Sequence, residues 1–88
     1  MGNNMKRITA IQIKSIIKND NYRVYYQSKK EELRVRVYTW TKNYNRDDES
    51  INILSLLRKI SDSGHRPMYR IDHKVYQGFI HDTYVVFH

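Results

Sequence analysis

One segment of the chain alternates arginines with apolar residues and ends in aromatic rings. Every second side chain in the segment 33–40 is an arginine or a ring, at Arg34, Arg36, Tyr38 and Trp40. Guanidinium groups bind phosphate oxygens through paired hydrogen bonds and also stack on bases. Aromatic rings on a sheet stack on unpaired bases at about 1–3 kcal/mol per base. These residue types therefore predict a surface for RNA or another single-stranded nucleic acid, whose bases are accessible.

A second alternating segment precedes the first and is joined to it by polar residues. The segment 22–27 alternates in the same way, and the connection 28–32 turns the chain, which predicts an antiparallel hairpin. If Leu33, Val35 and Val37 point into the core, alternation sends the arginines and rings to the opposite face. Lysines and one further arginine at the ends of the hairpin extend the phosphate contacts. The predicted nucleic-acid-binding residues are Arg23, Tyr25, Lys29, Lys30, Arg34, Arg36, Tyr38, Trp40, Lys42 and Arg46.

The same residues have two other interpretations. Arg34 and Arg36 can be cross-strand partners of acidic residues, since a charged face discourages sheet-edge aggregation. Tyr38 and Trp40 can be ordinary core rings. Because tyrosine, tryptophan and arginine are enriched in interface hot spots, the face can also bind an acidic host protein in place of nucleic acid.

The net charge is concentrated in the first half of the chain. The 88 residues contain 16 Lys and Arg against 9 Asp and Glu, a net charge of +7. Residues 1–46 hold eleven basic and three acidic residues, and residues 47–88 hold five and six, so the halves carry +8 and −1. Such asymmetry indicates a polyanionic partner. The alternative is a solvated basic surface that keeps a small protein soluble.

Four histidines raise the question of catalysis: His65, His73, His81 and His88. A metal-independent ribonuclease needs a base, a general acid and a cation that stabilises the phosphorane charge. Against this, the segments 72–74 and 81–83 are typical of hairpin turns, where polar residues are expected. The spacing of eight residues matches no metal-ligand pattern. We expect no enzyme, no metal and no cofactor.

Helix signals occur at two places. Thr9 and Gln12 fit a capping box, with Ile8 and Ile13 placed as a hydrophobic staple, and the asparagines in 19–21 end this first helix. The acidic segment 47–50 caps a second helix, whose apolar stripe runs to Ile60. Gly64 then occupies the position that closes it.

The remaining segments predict strands at 68–71, 75–80 and 84–87, with the turns named above between them. The order is α-β-β-α-β-β-(β), an α+β fold in which an antiparallel sheet carries two helices on one face. We expect a single domain over residues 1–88, with residues 1–7 flexible. The strand that ends at His88 is a candidate exposed edge, so the protein is a monomer or a homodimer.

The composition of the sequence excludes several classes of protein. The chain has no cysteine, which excludes a disulfide scaffold, a thiol nucleophile and a thiolate zinc finger. No apolar run approaches the roughly 20 residues that span a bilayer, and no signal peptide is recognisable, so we expect a cytoplasmic protein without membrane contact.

The sequence thus predicts a small, basic, non-enzymatic protein that binds RNA or single-stranded nucleic acid. The alternative is a small phage or mobile-element inhibitor of a host nuclease, toxin or defence enzyme, acting with or without RNA. The richness in isoleucine, asparagine, lysine and tyrosine suggests an AT-rich source of that kind. A metal-independent ribonuclease is the third interpretation.

Overall fold

The computed structural model describes residues 6–39 and 46–88, which form an α+β fold. Its main sheet is antiparallel with strand order β2-β3-β6-β5, and β1 and β4 form a separate parallel pair. The predicted fold class is confirmed, and the predicted order agrees in outline. In chain order the elements are β1 (Lys6–Arg7), α1 (Ala10–Ile16), β2 (Arg23–Gln27), β3 (Glu32–Thr39), α2 (Arg46–Asp62), β4 (His65–Arg66), β5 (Tyr69–Tyr76) and β6 (Phe79–Phe87).

Helix α1 begins at the predicted capping box. The Gln12 amide donates to the Thr9 hydroxyl at 3.2 Å, and the Thr9 amide donates to the Gln12 side chain at 2.9 Å. Ile8 and Ile13, the predicted staple residues, are both buried. The helix ends at Ile16, before the asparagine segment, and Asn21 adopts the left-handed conformation with φ of 60°.

Helix α2 ends as predicted, but it begins at Arg46, so the acidic residues predicted to cap it lie within its first turn. Its first turn carries three acidic residues, which interact favourably with the positive end of the helix dipole. Leu56 and Ile60 are fully buried on one side of it. The helix ends at Asp62, and Gly64 follows with φ of 86°, a conformation that glycine adopts without strain.

One buried cluster joins residues of the helices and the sheet. Leu33 pairs with Phe87 and Val35 with Val85 across β3 and β6, so these four side chains share a face, which we call the core face. The described cluster consists of Ile8, Ala10, Ile13, Ile17, Leu33, Val35, Val37, Leu56, Ile60, Val85 and Phe87.

The turns predicted at 72–74 and 81–83 are wrong. Strand β5 runs without interruption through His73, and β6 runs through Asp82. The turn lies instead at Gln77 and Gly78, whose φ angles of 51° and 82° belong to a two-residue hairpin turn with the twist that suits β-strands. Asp72 and Lys74 lie on the face opposite the core face, whereas Asp82 and Thr83 are buried and hydrogen-bonded to Thr39 and Glu49.

Part of the chain is outside the described residues. Residues 1–5, most of the segment predicted to be flexible, belong to this part. So do residues 40–45, with the predicted site residues Trp40 and Lys42. In the part of the chain that the structure describes, no helix is long and apolar enough to cross a membrane.

Candidate nucleic-acid interface

The sheet face opposite the core face carries most of the strand arginines. Cross-strand pairing aligns Tyr25 with Arg34, and the next row places Arg23 beside Arg36. Strands β5 and β6 extend these rows with charged and aromatic side chains. We call this surface the arginine face; it consists of Arg23, Tyr25, Glu32, Arg34, Arg36, Arg70, Asp72, Lys74, Asp82 and Tyr84.

Two of its arginines are held by carboxylates. Arg34 Nη2 lies 3.1 Å from Asp72 Oδ2, and Arg70 Nε lies 3.3 Å from Asp72 Oδ1. Arg70 Nη1 also lies 3.0 Å from Glu32 Oε2. The hydrogen bond between Arg70 and Glu32 lowers the pKa of Glu32 and raises that of Arg70. The charges of Arg34 and Arg70 are thus balanced by those of Asp72 and Glu32. Arg34 is therefore a cross-strand partner of an acidic residue, as one of the alternative interpretations of the sequence states.

Two tyrosine rings lie near Arg34, that of Tyr84 beneath its guanidinium group and that of Tyr25 beside Tyr84. The guanidinium carbon of Arg34 is 5.1 Å from the centre of the Tyr84 ring, which is a cation–π distance. Tyr84 is only 8% exposed, whereas Tyr25, whose ring centre is 6.3 Å away, is 45% exposed. Burial and the nearby Asp82 carboxylate raise the pKa of Tyr84, which keeps it neutral. Tyr25 is therefore the ring beside Arg34 that a base can reach; Tyr76 and Phe79 are also exposed, but they lie at the far end of the face, next to the β5–β6 turn.

Arg23 and Arg36 are direct neighbours and lack acidic partners. They face each other across β2 and β3, and within the described residues neither forms an ion pair. Residues 1–5 and 40–45 contain no Asp or Glu that could supply one. Like charges directly opposite each other on a sheet are destabilising. The two arginines thus carry positive charge that no direct ion pair compensates, in a groove that Asp20 and Asp48 also line.

Tyr38 is not on the arginine face, contrary to the prediction. A β-bulge after Arg36 makes Tyr38 pair with Thr83, which belongs to the core face, and makes Thr39 pair with Asp82. The side-chain amide of Asn52, in α2, donates to the Val37 carbonyl at 2.8 Å and so satisfies a backbone group at the bulge. Regular alternation fails here because the bulge adds one residue to β3.

The other predicted residues are dispersed. Lys29 and Lys30 are exposed in the turn between β2 and β3, at one end of the arginine face. Arg46 is the exposed first residue of α2. Trp40 and Lys42 lie outside the described residues, so the structure leaves their predicted roles untested.

Sequence reasoning missed the contribution of β5 and β6. Arg70, Asp72 and Lys74 stand at alternate positions of one strand, which is the signal that could have placed them on one face. The turn predicted at 72–74 separated Asp72 and Lys74 from the predicted strand 68–71 that contains Arg70, which hid this alternation. The sequence around Tyr84 does not indicate that this residue belongs to the site. Its ring lies under Arg34 only because β6 pairs with β3.

The histidines do not converge. His73 pairs with Thr83 on the core face, where its Nε2 is 3.3 Å from Glu49 Oε2. His81 Nδ1 is 3.3 Å from Asp82 Oδ2, on the arginine face. Among residues 6–39 and 46–88, no group of three or more potential metal ligands comes together.

Asp82 is a buried carboxylate at the end of the arginine face. Its Oδ1 accepts a 2.7 Å hydrogen bond from the Thr39 hydroxyl, and its Oδ2 lies 3.3 Å from both His81 Nδ1 and the Tyr84 hydroxyl. Burial disfavours the charged form, but hydrogen bonds from Thr39 and His81 outweigh it, and the pKa of Asp82 is lowered. The ionised carboxylate thus ties β3 to β6.

Comparisons with known proteins give no relative. No family model matches the chain, and no curated protein or solved structure matches it significantly. Its function must be inferred from the arginine face itself.

The lowered pKa of Asp82 predicts acid sensitivity. A carboxyl group whose pKa is lower in the folded state stabilises the protein above its unfolded pKa of about 3.9, and that stability is lost as pH falls through the folded value. Asp82→Asn should therefore cost about 1–3 kcal/mol near neutral pH and clearly less at about pH 2. Urea denaturation at both pH values measures this. An equal cost at both would contradict the assignment.

Proposed function

We propose that this chain is a small, cytoplasmic, non-enzymatic protein that binds RNA or single-stranded nucleic acid on its arginine face, with both helices behind the sheet. The observation that carries the proposal is the Arg23–Arg36 pair. Two adjacent cations without an ion-pair partner repel each other, whereas an incoming phosphate would relieve their repulsion and accept paired hydrogen bonds from them.

The other residues of the face would contact either the bases or the phosphates of the ligand. Tyr25, half-exposed beside this pair, offers its ring to a base. Arg34 is fixed by Asp72 and by the Tyr84 ring, so its guanidinium plane is oriented before a ligand arrives and can stack on a second base. The exposed charges of Lys29 and Lys30 extend the phosphate contacts along the hairpin.

A solubilising surface is the main rival explanation. Such a surface mixes charges of both signs, and Arg34 and Arg70 with their carboxylates fit that description. Arg23 and Arg36 do not. The proposal therefore differs from the rival at one pair of residues, where an experiment can separate them.

Binding to a fluorescent single-stranded RNA oligonucleotide tests the proposal. Log affinity should fall with log salt at about 0.7 per phosphate neutralised. Tyr25→Ala should lower affinity about 5- to 100-fold because the ring no longer stacks on a base. Tyr69→Ala is the matched control, because Tyr69 is 44% exposed but lies on the core face, paired with Phe87.

Three results would contradict the proposal. The first is an affinity that does not respond to salt. The second is an equal loss of affinity in the two tyrosine variants. Cleavage of the RNA, seen on a denaturing gel after incubation with excess protein, would replace the binding role with a ribonuclease activity.

A further inference from the structure

The candidate edge predicted at the strand that ends at His88 is wrong, because β6 lies between β3 and β5. Strand β5 forms one edge of the main sheet and is exposed. It pairs with β6 on one side, and within residues 6–39 and 46–88 no strand pairs along its other side. Seven of its eight residues are exposed; the exception is Asp72. A long exposed edge presents unpaired backbone groups to which another strand can add.

Strand β5 has neither a proline nor a bulge to protect the edge, and its protection consists of the charged side chains Arg70, Asp72 and Lys74. The irregularity in the β5–β6 pairing lies in β6, where His81 is the extra residue, so β5 itself stays regular. Its core-face side chains Ile71 and Val75 are 36% and 58% exposed. Exposed apolar residues on a regular edge favour association rather than oppose it.

The charges of β5 select one arrangement with a second copy. Two identical strands can pair antiparallel about a twofold axis perpendicular to the sheet, and paired residues then share a face. With the axis at His73, Asp72 of each copy faces Lys74 of the other, and Ile71 faces Val75. Arg70 faces Tyr76, a pairing that allows a cation–π contact.

Other registers of the β5–β5 pair bring like charges together or leave part of the strand unpaired. With the axis at Asp72, two carboxylates face each other and Arg70 faces Lys74. With the axis at Lys74, two ammonium groups face each other. With the axis at Ile71, the second half of the strand, including Val75, stays unpaired. Like charges directly opposite are destabilising. The register at His73 pairs residues 70–76, sets the two His73 imidazoles opposite each other and places each Asp72 opposite a Lys74.

We propose that β5 pairs with β5 of a second copy of this chain, in the antiparallel register centred on His73. The product is a dimer with one continuous sheet of eight strands. The twofold axis is perpendicular to that sheet, so both arginine faces lie on the same side. The dimer does not depend on the proposed nucleic-acid binding, and either can fail without the other.

A charge-swap experiment tests this register. Lys74→Asp alone places carboxylates opposite Asp72, and Asp72→Lys alone places ammonium groups opposite Lys74. Each variant should dissociate at least about tenfold more readily than the unchanged protein. An equimolar mixture of the two should recover dimers, because every facing pair is then of opposite charge. Sedimentation velocity on nuclease-treated protein measures all four samples.

A second pair of variants distinguishes a weakened dimer from a loss of folding. Val75→Lys should weaken the dimer without touching the Asp72 ion pairs, and Leu54→Lys, at a similarly exposed position in α2, should leave it intact. Circular dichroism confirms that each variant is folded. A monomer at submillimolar concentration overturns the proposal. So does a dimer that is insensitive to Lys74→Asp and Val75→Lys, or a mixture that stays monomeric.

Discussion

Replacing Arg23 and Arg36 together with alanine should weaken binding to single-stranded RNA about 100-fold and leave the fold no less stable. Each charge-assisted hydrogen bond to a phosphate contributes about 1.5–3 kcal/mol, and 1.4 kcal/mol corresponds to a factor of ten. The slope of log affinity against log salt should also become shallower by about 0.7 for each phosphate that the variant no longer neutralises. Stability is retained because the substitution removes a like-charge pair worth about 0.2–1 kcal/mol of destabilisation.

The control for this variant must remove the same charge elsewhere. Lys14→Ala/Arg58→Ala does so at two exposed positions on the helices. Fluorescence anisotropy measures affinity over a salt series, and thermal melting measures stability. If the control loses as much affinity as the paired variant, net charge alone drives binding and the arginine face is not the site. If the paired variant melts far lower, its arginines serve the fold.

Replacing Phe87 with alanine should destabilise the protein by about 3–5 kcal/mol. Phe87 is 1% exposed, pairs with Leu33 and Tyr69 on either side, and is the largest fully buried side chain in the described residues. Its removal leaves a cavity where both neighbouring strands meet. Small domains are stable by about 0.05–0.15 kcal/mol per residue, so this loss is a large share of the total.

Phe79→Ala is the matched control for the core substitution. Phe79 belongs to the same strand but is 73% exposed at the hairpin tip, so its removal should change stability by about 0.5 kcal/mol or less. Urea denaturation of the two variants gives the comparison. Similar costs in both would mean that Phe87 is not the buried core residue described above.

Local features of the fold were predictable because local signals determine them. Thr9 and Gln12 form the capping box, and Gly64 follows α2, as the sequence indicated. The hairpin of β2 and β3 was also predictable, since alternation and a polar connection define it. For the candidate site, this was enough to bring Arg23, Tyr25, Arg34 and Arg36 together on one face.

Features that depend on distant pairing were not predictable from a single sequence. The carboxylate that holds Arg34 comes from β5, and the ring beneath it comes from β6. Neither strand is near β3 in the chain. The bulge that moves Tyr38 to the core face depends on the pairing of β3 with β6 and on Asn52 from α2, so alternation alone assigned Tyr38 to the wrong face.

The position of β6 in the sheet has a consequence for synthesis on the ribosome. It follows the other strands of the sheet in the chain, yet it lies between β3 and β5 and supplies Val85 and Phe87 to the core. Until β6 is made, β3 pairs only with β2, and the core cluster lacks Val85 and Phe87. We therefore expect the nascent chain to complete its fold only after β6 is translated, and a chain truncated before β6 to be prone to aggregation.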